Sequence, residues 1–278
     1  MVSTRVELKS RALGVGGAGD DSYTDARVIV TRETRRRPTS SARGGVDDVD
    51  DGARDDDDMW RGWCVAPLDD DDDDDDDMHA HDAIEARRSV KKYDANHEMT
   101  AEEVETLVRL AMMSPTAFNI QHWRIVHVAD RALRQKIRDV AWDQAQVTDA
   151  STLFVLCADV KAWEKQPERY WRLAPEPVRD FMIPAIDAYY RDKESVQRDE
   201  TMRSMGIAGQ TIMIAAKAMG YDTCPMDGFD YAAVGELINL PSDHCVGFMI
   251  AVGKALEPAR ERAGQLPTSE ILITDRFD

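Results

Sequence analysis

Four cations and one hydroxyl group stand close together in the segment Arg87-Arg88-Ser89-Val90-Lys91-Lys92. Arg offers planar forks of N–H donors, Lys offers a compact ammonium group and Ser offers a neutral donor, so this segment could surround a phosphate. The alternative is a solvated basic end of a helix, stabilised by the negative pole of the helix. These residues taken alone favour the alternative.

Two further segments could present polar groups to a ligand. The first, SPTAFNIQHW at residues 114–123, places hydroxyl and amide groups between the end of a predicted helix and the start of a predicted strand. The second, PMDGF at residues 225–229, places a rigid Pro and a permissive Gly around two residues, which would fix the direction of backbone N–H groups. Taken singly, they are also compatible with an ordinary loop and an ordinary turn.

The elements that would position these segments can be predicted from apolar spacing. Thr100 and Glu103 form a capping-box pattern ahead of an amphipathic helix that ends at Ser114 and Pro115. Residues 123–128 alternate as a half-buried strand, and Asp130 is the predicted N-cap of a helix that runs to about residue 140. Residues 152–157 form an apolar run that indicates a strand with both faces covered.

The second half of the chain has the same mixed character. Residues 163–200 combine aromatic and charged side chains and predict an irregular helical segment, followed by a long helix from about Met205 to Gly220. We expect a strand at 221–224, the PMDGF turn, a helix at 230–240 capped by Asp230, a strand at 246–252 and a polar tail. Helices and strands do not alternate as strict βαβ units, so the predicted class is α+β.

Charge divides the chain into two parts. The sequence has 278 residues and a formal net charge of −18, and residues 1–77 hold 22 of its 53 acidic residues, including the unbroken run Asp69 to Asp77. Such a segment cannot bury enough apolar surface to offset its ordering entropy. We therefore predict a disordered, low-complexity acidic extension at 1–77 and one domain at 78–278.

Several function classes have no support in the sequence. The four Cys residues form no CxxC pair, His122, His127 and His244 lack ligand-type spacing, and no metal is predicted. No segment reaches the ~20 apolar residues of a membrane span. The acidic balance without a basic stripe argues against nucleic acid as a partner. We expect a cytoplasmic protein, although an Arg- and Ser-bearing N-terminus leaves organelle targeting open.

Together, in this order and at these spacings, the three ligand-type segments resemble the FMN-dependent nitroreductase family. The likeness spans residues 79–278 and includes RRSVKKY, SPTAFNIQHW, AQVTDASTLFVLCAD, AMGYDTCPMDGFD and GFMIAVGKALEP. It implies an α+β fold with a central, mostly antiparallel sheet flanked by helices. It also implies an intertwined homodimer with two FMN molecules at the interface.

The resemblance also implies site residues. Arg87, Ser89 and Lys91, with Arg88 beside them, match positions that hold the FMN phosphate and ribityl chain. A loop that the partner subunit lays against the same flavin would comprise Pro115, Thr116, Ala117 and Asn119. The turn beside the isoalloxazine would comprise Pro225, Met226, Asp227 and Gly228, with the backbone N–H groups of Asp227 and Gly228 facing flavin N5 and O4.

Two departures from the family pattern concern charge. Where some relatives place Asn and, three residues later, Lys against the pyrimidine edge, this chain has Asp143 and Gln146, with Gln144 between them. The tail has Arg260 and Arg262 as candidate phosphate ligands and Gln265 where a relative has a basic residue. The resemblance therefore leaves open how a negative charge on the reduced ring would be stabilised.

The implied activity is transfer of hydride from NADH or NADPH through flavin N5 to a nitroaromatic, a quinone or a similar small acceptor, by a ping-pong mechanism. No side-chain catalytic residue is predicted, because the flavin carries the chemistry. One alternative is a specialised branch of the fold, such as a reductive dehalogenase or a flavin-fragmenting enzyme. The other is a non-enzymatic flavin-binding or interaction protein.

Overall fold

The computed structural model of the protein describes residues 78–277. The predicted disordered extension at 1–77 lies outside the described residues, so the proposed boundary at residue 78 stays a prediction. Within 78–277, no helix combines the length and the apolar character that crossing a membrane would require.

The strands form one antiparallel sheet in the order β1-β2-β4-β3. The strands are β1 (Trp123–His127), β2 (Thr152–Asp159), β3 (Asp222–Met226) and β4 (His244–Gly253). Every residue of β2 is buried, which confirms the prediction of a strand with both faces covered. β1 and β3 are the two edge strands.

Eight helices surround this sheet in the described part of the chain. They are α1 (Ala80–Ala86), α2 (Ala101–Ala111), α3 (Arg131–Asp139), α4 (Gln146–Asp149), α5 (Glu176–Tyr190), α6 (Glu194–Ala218), α7 (Tyr231–Leu237) and α8 (Thr268–Ile271). The predicted capping box is present: the Thr100 side chain accepts from the Glu103 backbone N–H, and the Glu103 carboxylate accepts from the Thr100 N–H. Asp130 and Asp230 also cap their helices as predicted.

The side chains of β2 alternate between two cores. On one face, Phe154 and Leu156 pack with Leu107 of α2 and Ile212 of α6. On the other face, Leu153, Val155 and Cys157 pack with residues of α3, α4 and α7. Helices thus cover both faces of an antiparallel sheet, and the predicted α+β class is confirmed.

Three local predictions need correction. The long helix α6 begins at Glu194, well before Met205. The segment that was predicted to be irregular contains the 15-residue helix α5, which has Pro184 inside it. The buried residues at the start of α6 are polar and include Gln197, Glu200 and Thr201. The spacing of apolar residues therefore could not predict the first turns of this helix.

The third correction concerns the PMDGF segment. Pro225 and Met226 belong to β3, and the turn begins only at Asp227. Pro225 is tolerated because β3 is an edge strand and its outer side needs no ladder donor.

Candidate functional site

The basic segment after α1 runs alongside the edge strand β3. Ser89 forms a parallel bridge with Thr223, and the Val90 N–H donates to the Thr223 carbonyl at 3.0 Å. This pairing places Arg87, Ser89 and Lys91 next to the strand that leads into the Asp227 turn. Two ligand-type segments that are about 130 residues apart in the sequence therefore meet at one edge of the sheet.

A chain of side-chain hydrogen bonds connects the basic segment to the turn. Lys91 Nζ lies 3.2 Å from Cys224 Sγ, and Gln146 Nε2 lies 4.0 Å from the same sulfur. Gln146 Nε2 also donates to Gln144 Oε1 at 3.0 Å, and Gln144 Nε2 donates to the Gly228 carbonyl at 2.9 Å. We call this series, from Lys91 through Cys224, Gln146 and Gln144 to Gly228, the amide–thiol chain.

Gly228 is covered by an aromatic side chain. A Cβ atom at this position would lie 2.6 Å from Trp142 Cζ3, so only glycine allows the indole to approach this closely. The indole itself is 77% exposed. Trp142 and Asp143 both have positive φ, of 54° and 53°, and Arg138 Nε holds the Asp143 carboxylate at 2.7 Å.

Two buried polar atoms at this edge have no hydrogen-bond partner among the described residues. They are Arg87 Nη1 and Thr223 Oγ1. A buried charged donor that stays unpaired is costly, because the group has lost its water without gaining an acceptor. Arg262 Nη2 contacts the backbone of the same segment, with 3.0 Å to the Glu85 carbonyl and 3.3 Å to the Arg87 carbonyl. Cationic groups from both ends of the domain therefore converge at this edge of the sheet.

The loop Pro115–Asn119 lies elsewhere. The Asn119 side chain donates to the Tyr170 carbonyl at 2.9 Å, and Trp171 Nε1 donates to the Phe118 carbonyl at 3.1 Å. The Thr116 hydroxyl accepts from the Gln121 N–H at 3.1 Å, and Ala117–Asn119 form a 3-10 turn. These bonds dock the loop on the segment Pro167–Trp171 of its own chain.

The loop and the basic segment lie at opposite edges of the sheet. The loop leads into β1, whereas the basic segment borders β3, and β2 and β4 stand between these strands. With ~4.8 Å between neighbouring strands, the two edges are about 14 Å apart. No hydrogen bond joins the two groups within residues 78–277. One chain therefore brings together the basic segment, the Gln pair and the turn, but not the loop.

Backbone strain is concentrated in two of the predicted ligand-contacting segments. Among the described residues, nine non-glycine residues have positive φ, and five of them belong to these segments: Phe118, Asn119, Gln121, Trp142 and Asp143. Such conformations are costly and persist where the surrounding contacts enforce them, frequently at functional sites. The clustering supports a functional role for both segments.

The remaining predicted residues have varied surroundings. Arg88 Nη1 donates to the Glu85 carbonyl, and Asp227 is exposed at the turn. Arg260 is exposed and makes no side-chain hydrogen bond within the described range, so Arg262 is the tail residue that the structure places beside the basic segment.

A second cluster of charged groups does not resemble an open ligand site. Asp159, Asp243 and His244 lie close enough together to hold a metal ion. Lys165 Nζ already lies 2.9 Å from Asp159 Oδ2 and 2.5 Å from Asp243 Oδ2. Hydrogen bonds from Lys165 and His244 lower the pKa of Asp243 to about 2. The ammonium group satisfies both carboxylates, so this cluster is an ion-pair network.

The part of the chain that forms this candidate site also matches a known protein family. A model of the nitroreductase family matches residues 84–254, which include the basic segment, the loop, the Gln pair and the turn. The chain belongs to the nitroreductase family. The predicted resemblance to this family is confirmed.

Relatives in several bacteria match the same part of this nitroreductase. Protein DrgA of Synechocystis is 49% identical over 200 residues, which cover 70% of this chain and 95% of the relative. The oxygen-insensitive NADPH nitroreductase of Helicobacter pylori is 30% identical over 188 residues, covering 64% of this chain and 88% of the relative. The FMN complex of a candidate nitroreductase from Exiguobacterium sibiricum superposes with a TM-score of 0.66 at 26% identity, covering 70% of this chain and 97% of that one.

Three residues at this candidate site were not predicted from the sequence. Trp142, Thr223 and Cys224 lie beside predicted residues but carried no signal of their own, because an apolar residue in a loop and two residues in a short strand are usually structural. The positive φ of Trp142 and the Thr223 hydroxyl, which has no hydrogen-bond partner among the described residues, are visible only in three dimensions.

Proposed function

We propose that this nitroreductase is a homodimeric, FMN-dependent oxidoreductase that takes electrons from NADH or NADPH and delivers them to a small aromatic or quinone acceptor. The names of its relatives and the FMN complex of a structural neighbour support the donor and the cofactor. When bound, FMN would supply the redox chemistry by accepting hydride at N5 and returning electrons to the acceptor. The protein residues would bind and orient it.

One observation carries the proposal: Arg87 Nη1, beside Ser89 and Arg262, is buried without a hydrogen-bond partner among residues 78–277. A phosphate monoester would give this nitrogen an acceptor and would match its charge, since Arg binds phosphate through short, charge-assisted hydrogen bonds. The residues present therefore fit the phosphate of FMN. Arg87, Ser89 and Arg262 would hold it.

The placement of Lys91 suggests a role different from phosphate binding. Its ammonium lies 3.2 Å from Cys224, on the sulfur that Gln146 also approaches. Position 146 is where some relatives carry Lys, and Lys91 reaches the same sulfur as Gln146. We infer that Lys91 supplies the positive charge that Gln146 lacks. Such a charge would favour a negatively charged, reduced ring.

The turn offers backbone donors to the ring. Phe229 N–H is already bonded to the Asp227 carbonyl at 3.1 Å, and Gln144 holds the Gly228 carbonyl. These bonds hold the turn while leaving the N–H groups of Asp227 and Gly228 for a ligand. The exposed indole of Trp142 forms one wall beside Gly228, where it would contact a planar aromatic molecule.

A second copy of the chain would complete this site. The loop Pro115–Asn119 is about 14 Å across the sheet from the basic segment, so it would have to reach the flavin of the partner subunit. Exposed apolar side chains near the C-terminus are available for burial in such a dimer; they include Leu256, Leu266, Ile271, Leu272 and Phe277. Their exposure in one chain supports an intertwined dimer.

Purification followed by a coupled assay tests the proposal. We expect a yellow dimeric protein that oxidises NADPH or NADH when a quinone or a nitroarene is present, with parallel lines in double-reciprocal plots for a ping-pong mechanism. Colour without turnover would favour a flavin-binding module. Release of halide from a halogenated phenol, or oxygen-dependent loss of FMN, would favour a specialised branch. Purified protein that does not bind added FMN would contradict the assignment.

A further inference from the structure

Cys224 has two polar neighbours that are unusual for a core cysteine. It is fully buried, yet its sulfur lies 3.2 Å from Lys91 Nζ and 4.0 Å from Gln146 Nε2, and its S–H points to the Pro225 carbonyl at 3.6 Å. A neutral thiol with its proton directed to Pro225 leaves its sulfur lone pairs for the two donors. Cys157, buried in the same core, lacks such neighbours among the described residues.

The chemistry of the acceptor decides what happens to the charge of Lys91. A carboxylate at position 224 would form an ion pair with the ammonium and would compete with an anionic ligand for its charge. A thiol is only a weak, uncharged acceptor, so it can orient the ammonium without neutralising it. Within the described residues, Lys91 Nζ has no other hydrogen-bond partner, so most of its hydrogen-bonding capacity stays available.

We propose that Cys224 is a positioning residue that holds the Lys91 ammonium immediately before the Asp227 turn, so that the full lysine charge favours the reduced form of bound FMN. The inference rests on the proposed function, because it assumes that FMN occupies this edge. Gln146 Nε2 also approaches the sulfur, at 4.0 Å, and links it through Gln144 to the Gly228 carbonyl.

The test measures FMN affinity in both oxidation states and the midpoint potential of the bound flavin. Cys224→Ala should weaken the binding of reduced FMN about threefold more than that of oxidised FMN, the effect of a weak hydrogen bond, and should lower the potential accordingly. Cys157→Ala is the matched control: it removes an equally buried thiol from the same core and should leave the ratio of the two affinities unchanged.

Lys91→Met provides the second half of a double-mutant cycle. If Cys224 acts through Lys91, adding Cys224→Ala to Lys91→Met should change the potential no further. The inference would be overturned if Cys224→Ala shifted the midpoint potential equally in the wild type and in Lys91→Met. It would also be overturned if the potential of Cys224→Ala equalled that of the wild type. If Cys224→Ala folds poorly, Cys224→Ser replaces it in the test. The Ser hydroxyl is still an acceptor for Lys91, so this variant should retain most of the wild-type midpoint potential. A Cys224→Ser potential as low as that of Lys91→Met would contradict the inference.

The outcomes also separate this inference from the proposed function. If the wild-type protein binds no FMN, the proposed function fails. If it binds FMN normally and Cys224→Ala behaves as Cys157→Ala does, only the role of Cys224 fails.

Discussion

The two edges of the sheet are held by different kinds of hydrogen bonds. At the β3 edge, side chains from distant parts of the sequence are joined by the amide–thiol chain, and Arg87 Nη1 is buried without a partner in the described part of the chain. At the β1 edge, the loop Pro115–Asn119 docks on Tyr170 and Trp171, and its hydrogen bonds go to its own chain. The β3 edge thus offers a buried cationic donor, whereas the hydrogen bonds of the β1 loop are made within its own chain.

This difference indicates which part of cofactor binding each edge would perform. The β3 edge would bind the charged part of the cofactor and adjust its electrostatics, while the β1 edge would cover a cofactor that another copy holds. Substitutions at the β3 edge should therefore change affinity through lost charge. Those at the β1 edge should act through lost loop order, with smaller effects.

The largest expected effect comes from removing cations at the β3 edge. Arg87→Ala and Lys91→Ala should each weaken FMN binding about ten- to a hundredfold, because a hydrogen bond to a charged group contributes roughly 1.5–3 kcal/mol. Lys92→Ala is the control: it removes the same charge one residue away, but Lys92 is paired with Glu257 at the surface. Equilibrium dialysis against FMN measures all three. Equal losses in Lys92→Ala and Lys91→Ala would show that only net charge matters.

A crowding substitution tests the turn itself. Gly228→Ala introduces a Cβ atom 2.6 Å from the Trp142 indole, and such overpacking typically costs ~1–3 kcal/mol. We expect the indole to be displaced, with altered tryptophan fluorescence and FMN binding weakened about fivefold or more. Gly206→Ala, at a helix position with no atom within 4 Å of the new Cβ, should be neutral or slightly stabilising. Trp142→Ala is the reference background: adding Gly228→Ala to it should weaken FMN binding no further, and an additional loss would show that the methyl group displaces something other than the indole.

The β1 edge should respond more weakly. Asn119→Ala removes the bond to the Tyr170 carbonyl, worth about 1 kcal/mol, so the loop should lose order. We expect FMN affinity to fall about fivefold and Tm to fall by only ~2–4 °C. Asn96→Ala, at an exposed position whose side chain makes no hydrogen bond within residues 78–277, should have no effect.

Mixed dimers show which subunit supplies the loop. Co-refolding Asn119→Ala with Arg87→Ala should produce a heterodimer with one intact site and one doubly defective site, if the two edges of a site come from different chains. A heterodimer in which each site carries one defect would instead place both edges in the same chain.

The smallest effect concerns pH. Burial lowers the pKa of His122, which follows the loop and lies near Tyr190 and the Asp159 carbonyl. The unfolded chain then binds more protons than the folded one below the unfolded pKa of ~6.5, so stability should fall as pH drops from about 7 towards the lower folded pKa.

Thermal unfolding at pH 7.5 and 5.5 measures this effect. His122→Gln should reduce the loss of Tm on acidification. His127→Gln is the control, because burial also lowers the pKa of His127, but its side chain is exposed and its contribution should be smaller. An undiminished loss of Tm in His122→Gln would assign the pH dependence to other groups.

The sequence by itself determined the helix caps and the central strand of this protein. The capping residues Thr100, Asp130 and Asp230 and the apolar run of β2 depend on neighbours within a few positions, so spacing predicted them correctly. The basic segment, the loop and the turn were likewise visible as residue types, and their order and spacing pointed to the family. Each of these features could be predicted without knowing which helices and strands pack against each other.

Only the tertiary structure decided the relations between these segments. The early start of α6 at Glu194 depends on burial of polar side chains that its sequence does not reveal, and the inclusion of Pro225 in β3 depends on that strand lying at an edge. Strand order also put the loop and the basic segment at opposite edges, and it brought Lys91 to Cys224 across 133 positions of sequence. Such contacts join residues far apart in the chain, so no local pattern could predict them.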